Sequence, residues 1–192
     1  MDFFDVVDAR RSVRKFLPDM VKREDVLKIL SCADKAPSAL NSRPWEFLVV
    51  SGQKKAALGA SYGRVTRERL AAIPAKPGTP HASPDFLQFA DSYGGAPLVI
   101  AVLMKTPEDP AYRKAYLESA SAAMQNIMLA ATALGLGTCW MTGPLRDEAV
   151  VRETLGVPDD REIVAFSPLG YPALLPQPRP VRDVSPSVRW IE

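Results

Sequence analysis

The chain has 192 residues, of which 47% are hydrophobic and 24% charged, the balance of a globular protein large enough for a hydrophobic core. Its net charge of +2 does not favour a nucleic-acid partner, and no apolar run reaches the roughly 18–20 residues that a membrane-spanning helix needs. The acidic, amphipathic start MDFFDVVDAR lacks the features of a signal peptide, so the expected location is the cytoplasm.

Residues that usually carry enzymatic chemistry are scarce. The two cysteines, Cys32 and Cys139, lack metal-binding spacing, and the single histidine, His81, lies in a proline-rich stretch. We therefore expect no metal site and no mechanism based on a histidine. Enzymatic chemistry in such a chain would come from an organic cofactor.

Apolar periodicity in the first half of the chain predicts helices and one buried strand. The stretch WEFLVVS has the composition of a strand, and prolines and glycine interrupt the pattern after it. The predicted elements are helices over 2–11 and 23–36, a strand over 45–51, one or two helices over 53–73 with a break near Gly63, and an irregular proline-rich excursion over 74–84.

The second half contains the most apolar segments. APLVIAVLM predicts a central strand. The helix over 111–134 is apolar nearly all round in its second half, so it needs cover on every side, and a second subunit is one source of that cover. The remaining predicted elements are a strand over 137–142, a helix over 146–156, a strand over 162–172 and a proline-rich arm over 173–192. Without a regular βαβ repeat, this order favours an α+β fold formed by one domain over 1–192.

The cation-rich stretch ARRSVRKF has two interpretations. Arg10, Arg11 and Arg14 could bind a phosphate together with the Ser12 hydroxyl, because guanidinium groups match phosphate oxygens. The same cations could instead compensate the dipole of the preceding helix. A nucleic-acid contact is the weaker alternative, because no aromatic-rich basic surface accompanies the cluster.

Three later stretches are candidates for a binding site. PSALNSRPW offers amide and hydroxyl groups that suit the edge of a heterocycle, although Pro, Ser and Asn are also ordinary turn residues. GLGTCWMTG has glycines that permit close backbone approach, but it follows a helix and is not a dinucleotide fingerprint. The arm carries Arg179 and Arg182, which either clamp an anion or are simply solvated.

Taken in order, these motifs resemble the FMN-dependent nitroreductase family. RRSVRKF is similar to the family's Arg-x-Ser-x-Arg/Lys-x-Phe segment, and APSALNSRPWEFLVV to its Pro-Ser-x-x-Asn-x-Gln-Pro-Trp-x-Phe segment. SAAMQNIMLAATALGLGTCWMTG resembles its central helix and following strand, and PLGYPALLPQPRP its C-terminal arm. The resemblance implies a sandwich of a mixed or antiparallel sheet with helices around it, in an intertwined homodimer with FMN at each subunit seam.

The resemblance also implies roles for individual residues. Arg10 and Ser12 would hold the FMN phosphate, with Arg11 contributing main chain or charge. Arg14 would lie by the pyrimidine edge of the flavin, and the arm would complete the phosphate clamp. The full set of implied cofactor-binding residues is Arg10, Arg11, Ser12, Arg14, Pro37, Ser38, Ala39, Asn41, Arg43, Trp140, Met141, Thr142, Gly143, Arg179 and Arg182, with those of 37–43 coming from the other subunit.

The chain departs from the family pattern at two points. Arg43 stands where glutamine is common, and the arm spaces its cations as RPVR, so one of them could point away from the phosphate. A further contact from residues 62–70, through Arg64 or Arg67, is left open. The outer wall of the substrate pocket is expected from residues 62–93, with these candidate side chains: Tyr62, His81, Phe86, Phe89 and Tyr93.

By resemblance, the activity would be NAD(P)H-dependent, ping-pong reduction of nitroaromatic or quinone acceptors, in which the flavin and no side chain carries the chemistry. One alternative is another flavin reaction on the same fold, such as dehydrogenation, dehalogenation or flavin reduction. A second is a non-catalytic flavin-binding dimer.

Overall fold

Helices and strands mix along the chain without a repeating unit in the residues described by this computed structural model, which are 2–72, 84–177, 180 and 182–192. The α-helices of these residues are α1 (Phe3–Ala9), α2 (Arg23–Ala33), α3 (Gly52–Ala72), α4 (Pro84–Ser92), α5 (Arg113–Ala133) and α6 (Glu148–Leu155). The strands are β1 (Trp45–Val50), β2 (Leu98–Lys105), β3 (Gly137–Thr138) and β4 (Arg161–Gly170).

The four strands form one sheet in the order β1-β2-β4-β3, and every pair is antiparallel. In the register, Trp45 lies opposite Met104, Leu98 opposite Leu169 and Thr138 opposite Leu169. The predicted α+β fold is therefore confirmed for the described residues, and of the two sheet types expected, the antiparallel one forms.

Strand β2 lies in the middle of the sheet and separates two hydrophobic layers. Ile100, Val102 and Met104 face α2 and α5, whereas Val99, Ala101 and Leu103 face α3, α4 and α6. Since successive strand residues point to opposite faces, a strand covered on both sides must be apolar throughout. This explains why the predicted central strand reads as a continuous apolar run.

Helix α3 crosses Gly63 without a break. An added Cβ at Gly63 would collide with the Asp91 side chain of α4, so the glycine serves close helix packing instead of ending the helix. Helix α4 was not predicted, and the strand expected over 137–142 shortens to two residues plus an isolated bridge between Met141 and Phe166. No helix among the described residues is long and apolar enough to cross a bilayer.

Three of the expected pocket-wall residues lie in the core. Tyr62 is 4% exposed, Phe89 3% and Tyr93 0%, and all three pack in the layer that contains α3, α4 and one face of β2. The prediction that they line the outer wall of a pocket is wrong, because apolar aromatic burial outweighs exposure at a rim. His81 lies outside the described residues.

Candidate functional site

The cation-rich segment after α1 runs in extended conformation beside β3. The Val13 N–H donates to the Thr138 carbonyl at 2.9 Å, and Ser12 pairs with Thr138 as a parallel bridge. Val13 is buried, so the alternation of an extended chain turns Arg10, Ser12 and Arg14 to the other side. Three of the four polar residues predicted to form the anion site therefore share one side of the segment.

The backbone at Arg14 is fixed from the other side by the turn before β2. The Phe16 N–H donates to the Gly94 carbonyl at 2.9 Å. Gly94 has φ +66°, and an added Cβ would collide with the Arg14 carbonyl oxygen. Only glycine combines that backbone conformation with such a close approach, so this turn fixes the position of the Arg14 backbone from which the side chain extends.

The Arg11 side chain binds the end of α1. Its guanidinium donates to the Asp8 carbonyl and, at 2.9 Å, to the Arg10 carbonyl at the end of α1. This is the helix-terminus interaction offered as the alternative interpretation of the cluster. Helix compensation therefore accounts for Arg11.

The second half of the site is the stretch after β3, which is attached to β4. Met141 and Phe166 exchange two backbone hydrogen bonds, each of 2.9 Å, and the Cys139 N–H donates to the Ser167 hydroxyl at 3.2 Å. Cys139 and Met141 are buried, whereas Trp140 is 37% exposed and Thr142 is exposed. The stretch thus presents Trp140 and Thr142 outward from a fixed backbone.

The two halves of the site meet at Cys139. Burial raises the pKa of the Cys139 thiol, and Arg14, a hydrogen bond with Ser12 and Arg10 act in the opposite direction. All three polar residues of the extended segment therefore act on the first residue of the second stretch. The result is a positively charged corner made of two segments that are more than a hundred residues apart in sequence.

Gly143 lies against the ring of Tyr62 on α3. An added Cβ would be 2.6–2.8 Å from three outer atoms of that ring, which is itself 4% exposed. Gly143 also opens the 3-10 turn Gly143–Asp147 that leads into α6. The glycine is therefore required by this close contact.

The other end of that turn is tied to α3 by a carboxylate. Asp147, whose side chain is 14% exposed, accepts hydrogen bonds from the Ser61 hydroxyl and, at 2.5 Å, from the Arg64 guanidinium. These contacts, the Ser61 hydrogen bond first, hold the pKa of Asp147 below its usual range. We call Ser61, Arg64 and Asp147 the α3 clasp.

Replacing Asp147 by Asn is expected to lower stability near neutral pH by about 1 kcal/mol, or about 2–4 °C in Tm. A carboxylate whose folded pKa is lowered contributes stability above its unfolded pKa of about 3.9, and that contribution is lost as pH falls through the folded pKa. The difference in Tm between the wild type and Asp147→Asn should therefore be full at pH 7 and shrink below about pH 4.

Thermal melts between pH 3 and pH 8 measure this effect. Asp159→Asn is the matched control, because Asp159 is an exposed carboxylate outside the clasp. A Tm difference for Asp147→Asn that stays constant across this range, or that equals the effect of the control, would contradict the role of the clasp.

The loop before β1 has an unusual backbone. Leu40, Asn41 and Arg43 all have positive φ, at 52°, 52° and 43°. The Ser38 hydroxyl accepts from the Arg43 N–H at 3.0 Å, and the Ala39 N–H donates to the Ser119 hydroxyl of α5 at 3.1 Å. Non-glycine residues persist in this region of backbone space only where neighbouring contacts hold them.

The side chains of this loop point in different directions. The Arg43 guanidinium pairs with Asp34 at 3.3 Å, next to the Trp45 indole that donates to the same carboxylate at 3.0 Å. Pro37, Leu40 and Asn41 are exposed. Arg43, the residue that departs from the family pattern, is therefore held toward α2 in this structure.

Replacing Ser119 by Ala is expected to destabilise the protein by about 1–3 kcal/mol, because the Ala39 N–H loses its acceptor in a half-buried site. Ser119 is 5% exposed, and its own hydroxyl donates to the Ala115 carbonyl at 2.6 Å. Urea unfolding measures the cost, and faster hydrogen exchange of the Ala39 amide measures the release of the loop.

Thr132→Ala is the matched control for Ser119→Ala. The Thr132 hydroxyl donates to the Met128 carbonyl of the same helix at 2.8 Å, as Ser119 does to Ala115, so the two changes differ in the loop contact. Equal costs for the two variants, with no change in Ala39 exchange, would show that Ser119 does not hold the loop.

The loop at 37–43 is far from the charged corner within one chain. It precedes β1 at one edge of the sheet, whereas Thr138 lies in β3 at the other edge. Trp45 and Thr138 are three strand spacings apart across the sheet. Along the strands they are six residues apart, because Trp45 is level with Met104 of β2 and Thr138 is level with Leu98. The two offsets together separate Trp45 from Thr138 by ~25 Å. The structure therefore does not bring these two groups of predicted residues together in a single chain.

The arm and α3 account for the remaining predicted cations. Arg182 is exposed, and Arg179 lies outside the described residues. Arg64 belongs to the α3 clasp, and Arg67 pairs with Asp91. The clasp is not predictable from the sequence because the partners of Asp147 lie on a helix more than eighty residues away. An acidic residue just before a helix is, however, a recognisable capping signal.

Comparison with known proteins adds an independent line of information. The model of the family described as Nitroreductase matches residues 7–171. A protein of Archaeoglobus fulgidus named as a candidate NADH dehydrogenase/NAD(P)H nitroreductase is 32% identical over 172 residues, covering 87% of this chain and 83% of the relative. The 5,6-dimethylbenzimidazole synthase of Rhodospirillum rubrum is 30% identical over 182 residues, covering 88% and 83%.

A solved structure agrees with these relatives. The crystal structure of a nitroreductase family protein from Clostridium novyi NT superposes with a TM-score of 0.69 at 30% identity, covering 90% of this chain and 86% of that one. The similarity includes the segment after α1 and the stretch after β3, since both lie within the matched residues 7–171.

Proposed function

Since the chain belongs to the Nitroreductase family, we propose that it is an FMN-dependent oxidoreductase that uses NAD(P)H to reduce nitroaromatic or quinone acceptors by a ping-pong mechanism. The resemblance carried by the four motifs is confirmed at the level of the family. The single observation that carries the proposal is the convergence of Arg10, Ser12 and Arg14 on the stretch Cys139–Gly143.

The residues of this corner fit an anionic flavin nucleotide. Two guanidinium groups and a hydroxyl on one side of an extended segment suit a phosphate or an electron-rich ring edge. Gly143 and the exposed Trp140 and Thr142 offer backbone and side-chain surface next to those cations. When bound, FMN would supply the hydride transfer that the chain's own side chains cannot provide.

The chain's own residues then bind, orient and set the electrostatics of the site. Arg10 and Ser12 would hold the phosphate, with Arg11 contributing its main chain, and Arg14 would place positive charge beside the ring system. Trp140, Met141, Thr142 and Gly143 would line the ring. Arg179 and Arg182 would complete the phosphate clamp from the arm.

The geometry of one chain supports a homodimer as part of this proposal. Trp45, which follows the loop at 37–43, is ~25 Å from Thr138 beside the charged corner, so the loop would reach a shared cofactor only from a second copy. The loop residues proposed for that contact are Pro37, Ser38, Ala39, Asn41 and Arg43. Apolar surface is available for that contact, with Phe3 66% and Phe4 76% exposed on α1 beside a groove along α5.

The arm offers further apolar surface to a second copy. Trp190 and Ile191 are 85% and 84% exposed, and Leu174 and Leu175 are also exposed. Such residues on an arm without a core of its own favour packing on a partner. Sedimentation of the purified protein tests the dimer, and a monomer at micromolar concentration with full flavin content would contradict it.

Flavin content and nucleotide oxidation test the proposed function. Purified protein should show flavin absorbance with about one FMN per chain, and anaerobic mixing with NADH or NADPH should bleach it. Addition of a nitrofuran or menadione should then restore the oxidised spectrum. Absence of flavin reduction by either nucleotide would reject an NAD(P)H oxidoreductase.

A second candidate is another flavin reaction on the same fold. It is favoured by one observation: a relative of the same similarity is named a 5,6-dimethylbenzimidazole synthase. Flavin reduction without turnover of nitro or quinone acceptors would support this candidate. Flavin binding without reduction would instead indicate a non-catalytic dimer.

A further inference from the structure

Arg146 lies in a turn whose two ends are both fixed to α3. Gly143 opens the turn against the Tyr62 ring, and Asp147 closes it in the α3 clasp. The backbone between these two contacts has little freedom, and Arg146 extends from it as an exposed side chain. The position of this guanidinium is therefore restricted by the fold, unlike that of an arginine on a free loop.

Arg14 approaches the same place from the other side. The Tyr62 ring packs on Tyr93 with centroids 6.2 Å apart, and the next residue, Gly94, abuts the Arg14 carbonyl. Burial raises the pKa of the Tyr62 phenol, while Arg146 and Arg14 both act to lower it. Two guanidinium groups from segments more than 130 residues apart therefore act electrostatically on one phenol.

Neither cation is paired with a carboxylate in the part of the chain that the structure describes. Among the described residues, Arg14 and Arg146 form no ion pair within 4.0 Å. Six other arginines each pair with an acidic side chain: Arg43, Arg64, Arg67, Arg113, Arg152 and Arg161. The nearest acidic residue in sequence, Asp147, is already engaged by Ser61 and Arg64. The corner thus keeps net positive charge beside Gly143.

We propose that Arg146 is a specificity-determining residue that binds a carboxylate or phosphate group carried by a small-molecule substrate, with Arg14 adding to the positive field. This inference rests on the proposed function, because it places the anionic group next to the residues proposed to line the flavin. A guanidinium fork matches both kinds of anion, and the two possible sources are an aromatic acceptor with a carboxylate and the phosphate of NADPH.

The first experiment, on the electron acceptor, compares 4-nitrobenzoate with the neutral 4-nitrobenzyl alcohol in the holoenzyme. In Arg146→Gln, the ratio of kcat/KM for the acid to that for the alcohol should fall by about 10–100-fold, as expected for loss of a charge-assisted hydrogen bond. Arg146→Lys should restore part of the ratio. Arg23→Gln, which removes an equal charge from the exposed start of α2, should leave the ratio unchanged.

The second experiment, on the nucleotide, compares kcat/KM for NADPH with that for NADH, using one neutral acceptor. A fall of the NADPH to NADH ratio in Arg146→Gln, with an unchanged acceptor ratio, would support the same anion site with the nucleotide phosphate as its ligand. If both ratios stay within twofold of the wild type, or if Arg23→Gln changes them equally, the proposal is overturned.

Equilibrium binding separates this inference from the proposed function. Benzoate, an anion that cannot be reduced, and the neutral benzamide are titrated by calorimetry into wild-type and Arg146→Gln protein. The variant should lose at least about tenfold in benzoate affinity and keep its benzamide affinity. Equal benzoate affinity, together with an unchanged NADPH to NADH ratio, would overturn the inference even in an active enzyme. A selective loss of benzoate affinity would support it even if no nucleotide oxidation were found.

Discussion

Protein with Arg10 and Arg14 both replaced by alanine is expected to bind FMN about 100-fold more weakly, or worse. Hydrogen bonds to charged groups contribute about 1.5–3 kcal/mol each, and about 1.4 kcal/mol corresponds to tenfold in affinity. The two side chains share one side of the extended segment, so the proposed phosphate and ring contacts are lost together. Titration of flavin-free protein with FMN, followed by quenching of flavin fluorescence, measures the change.

A control variant separates this effect from loss of charge. Arg23→Ala combined with Lys28→Ala removes the same two charges from the exposed side of α2, on the opposite face of the sheet, and should keep wild-type flavin affinity. Sedimentation should show the same assembly state for both double variants. Full flavin occupancy in the Arg10/Arg14 variant would mean that these side chains do not hold the cofactor.

The fold was predictable wherever apolar patterning alone decides the structure. Strand β2 separates two hydrophobic layers and helix α5 lies in one of them, and both have long apolar sequences that leave little ambiguity. Helix α4 was missed because it follows a proline-rich stretch and is only nine residues long. Short helices of this kind are stabilised by packing, here of Phe89 and Ala90, and less by a pattern readable in sequence.

The candidate site was predictable as a set of motifs, but not in its contacts. The motif RRSVRKF indicated four cations, yet only the structure separates Arg11, which binds the end of α1, from Arg10 and Arg14. Arg146 carried no signal, because a single arginine in a turn resembles a solvated side chain. Its importance comes from the contact of Tyr62 with Gly143, which joins residues 81 positions apart.

The strained loop before β1 shows the same limit. Pro, Ser and Asn in PSALNSRPW predict a turn, but three non-glycine residues at positive φ do not follow from turn propensity. The contacts that hold them come from Ser119 of α5 and from Ser38 within the loop. Strain that distant residues maintain is a common feature of functional sites, which agrees with the proposed contact of this loop with the cofactor of a second copy.

Replacing Gly143 by Ala is expected to cost about 1–3 kcal/mol in stability and to lower flavin content, because the new methyl group would overlap the Tyr62 ring. The ring is buried against Tyr93 and cannot move aside, so the backbone from Trp140 to Gly143 must shift instead. Tm should fall by several degrees, at about 2–4 °C per kcal/mol for a chain of this size. Thermal melts and the flavin-to-protein absorbance ratio measure both effects.

Changes at Tyr62 decide whether this contact is the cause. The overlapping atoms are Cε2, Cζ and the hydroxyl oxygen of Tyr62, so Tyr62→Phe keeps two of them and should not relieve Gly143→Ala. Tyr62→Leu removes the outer ring and should reduce the additional cost of Gly143→Ala by about 0.5–3 kcal/mol. Gly156→Ala is the control. Its cost comes from the backbone angle φ of +67°, because no atom lies within 4 Å of an added Cβ, so it should be equally costly with Tyr or Leu at position 62. If Tyr62→Leu gives no relief to Gly143→Ala, then the turn is held against α3 by the clasp at Asp147 and not by the contact between Gly143 and the ring.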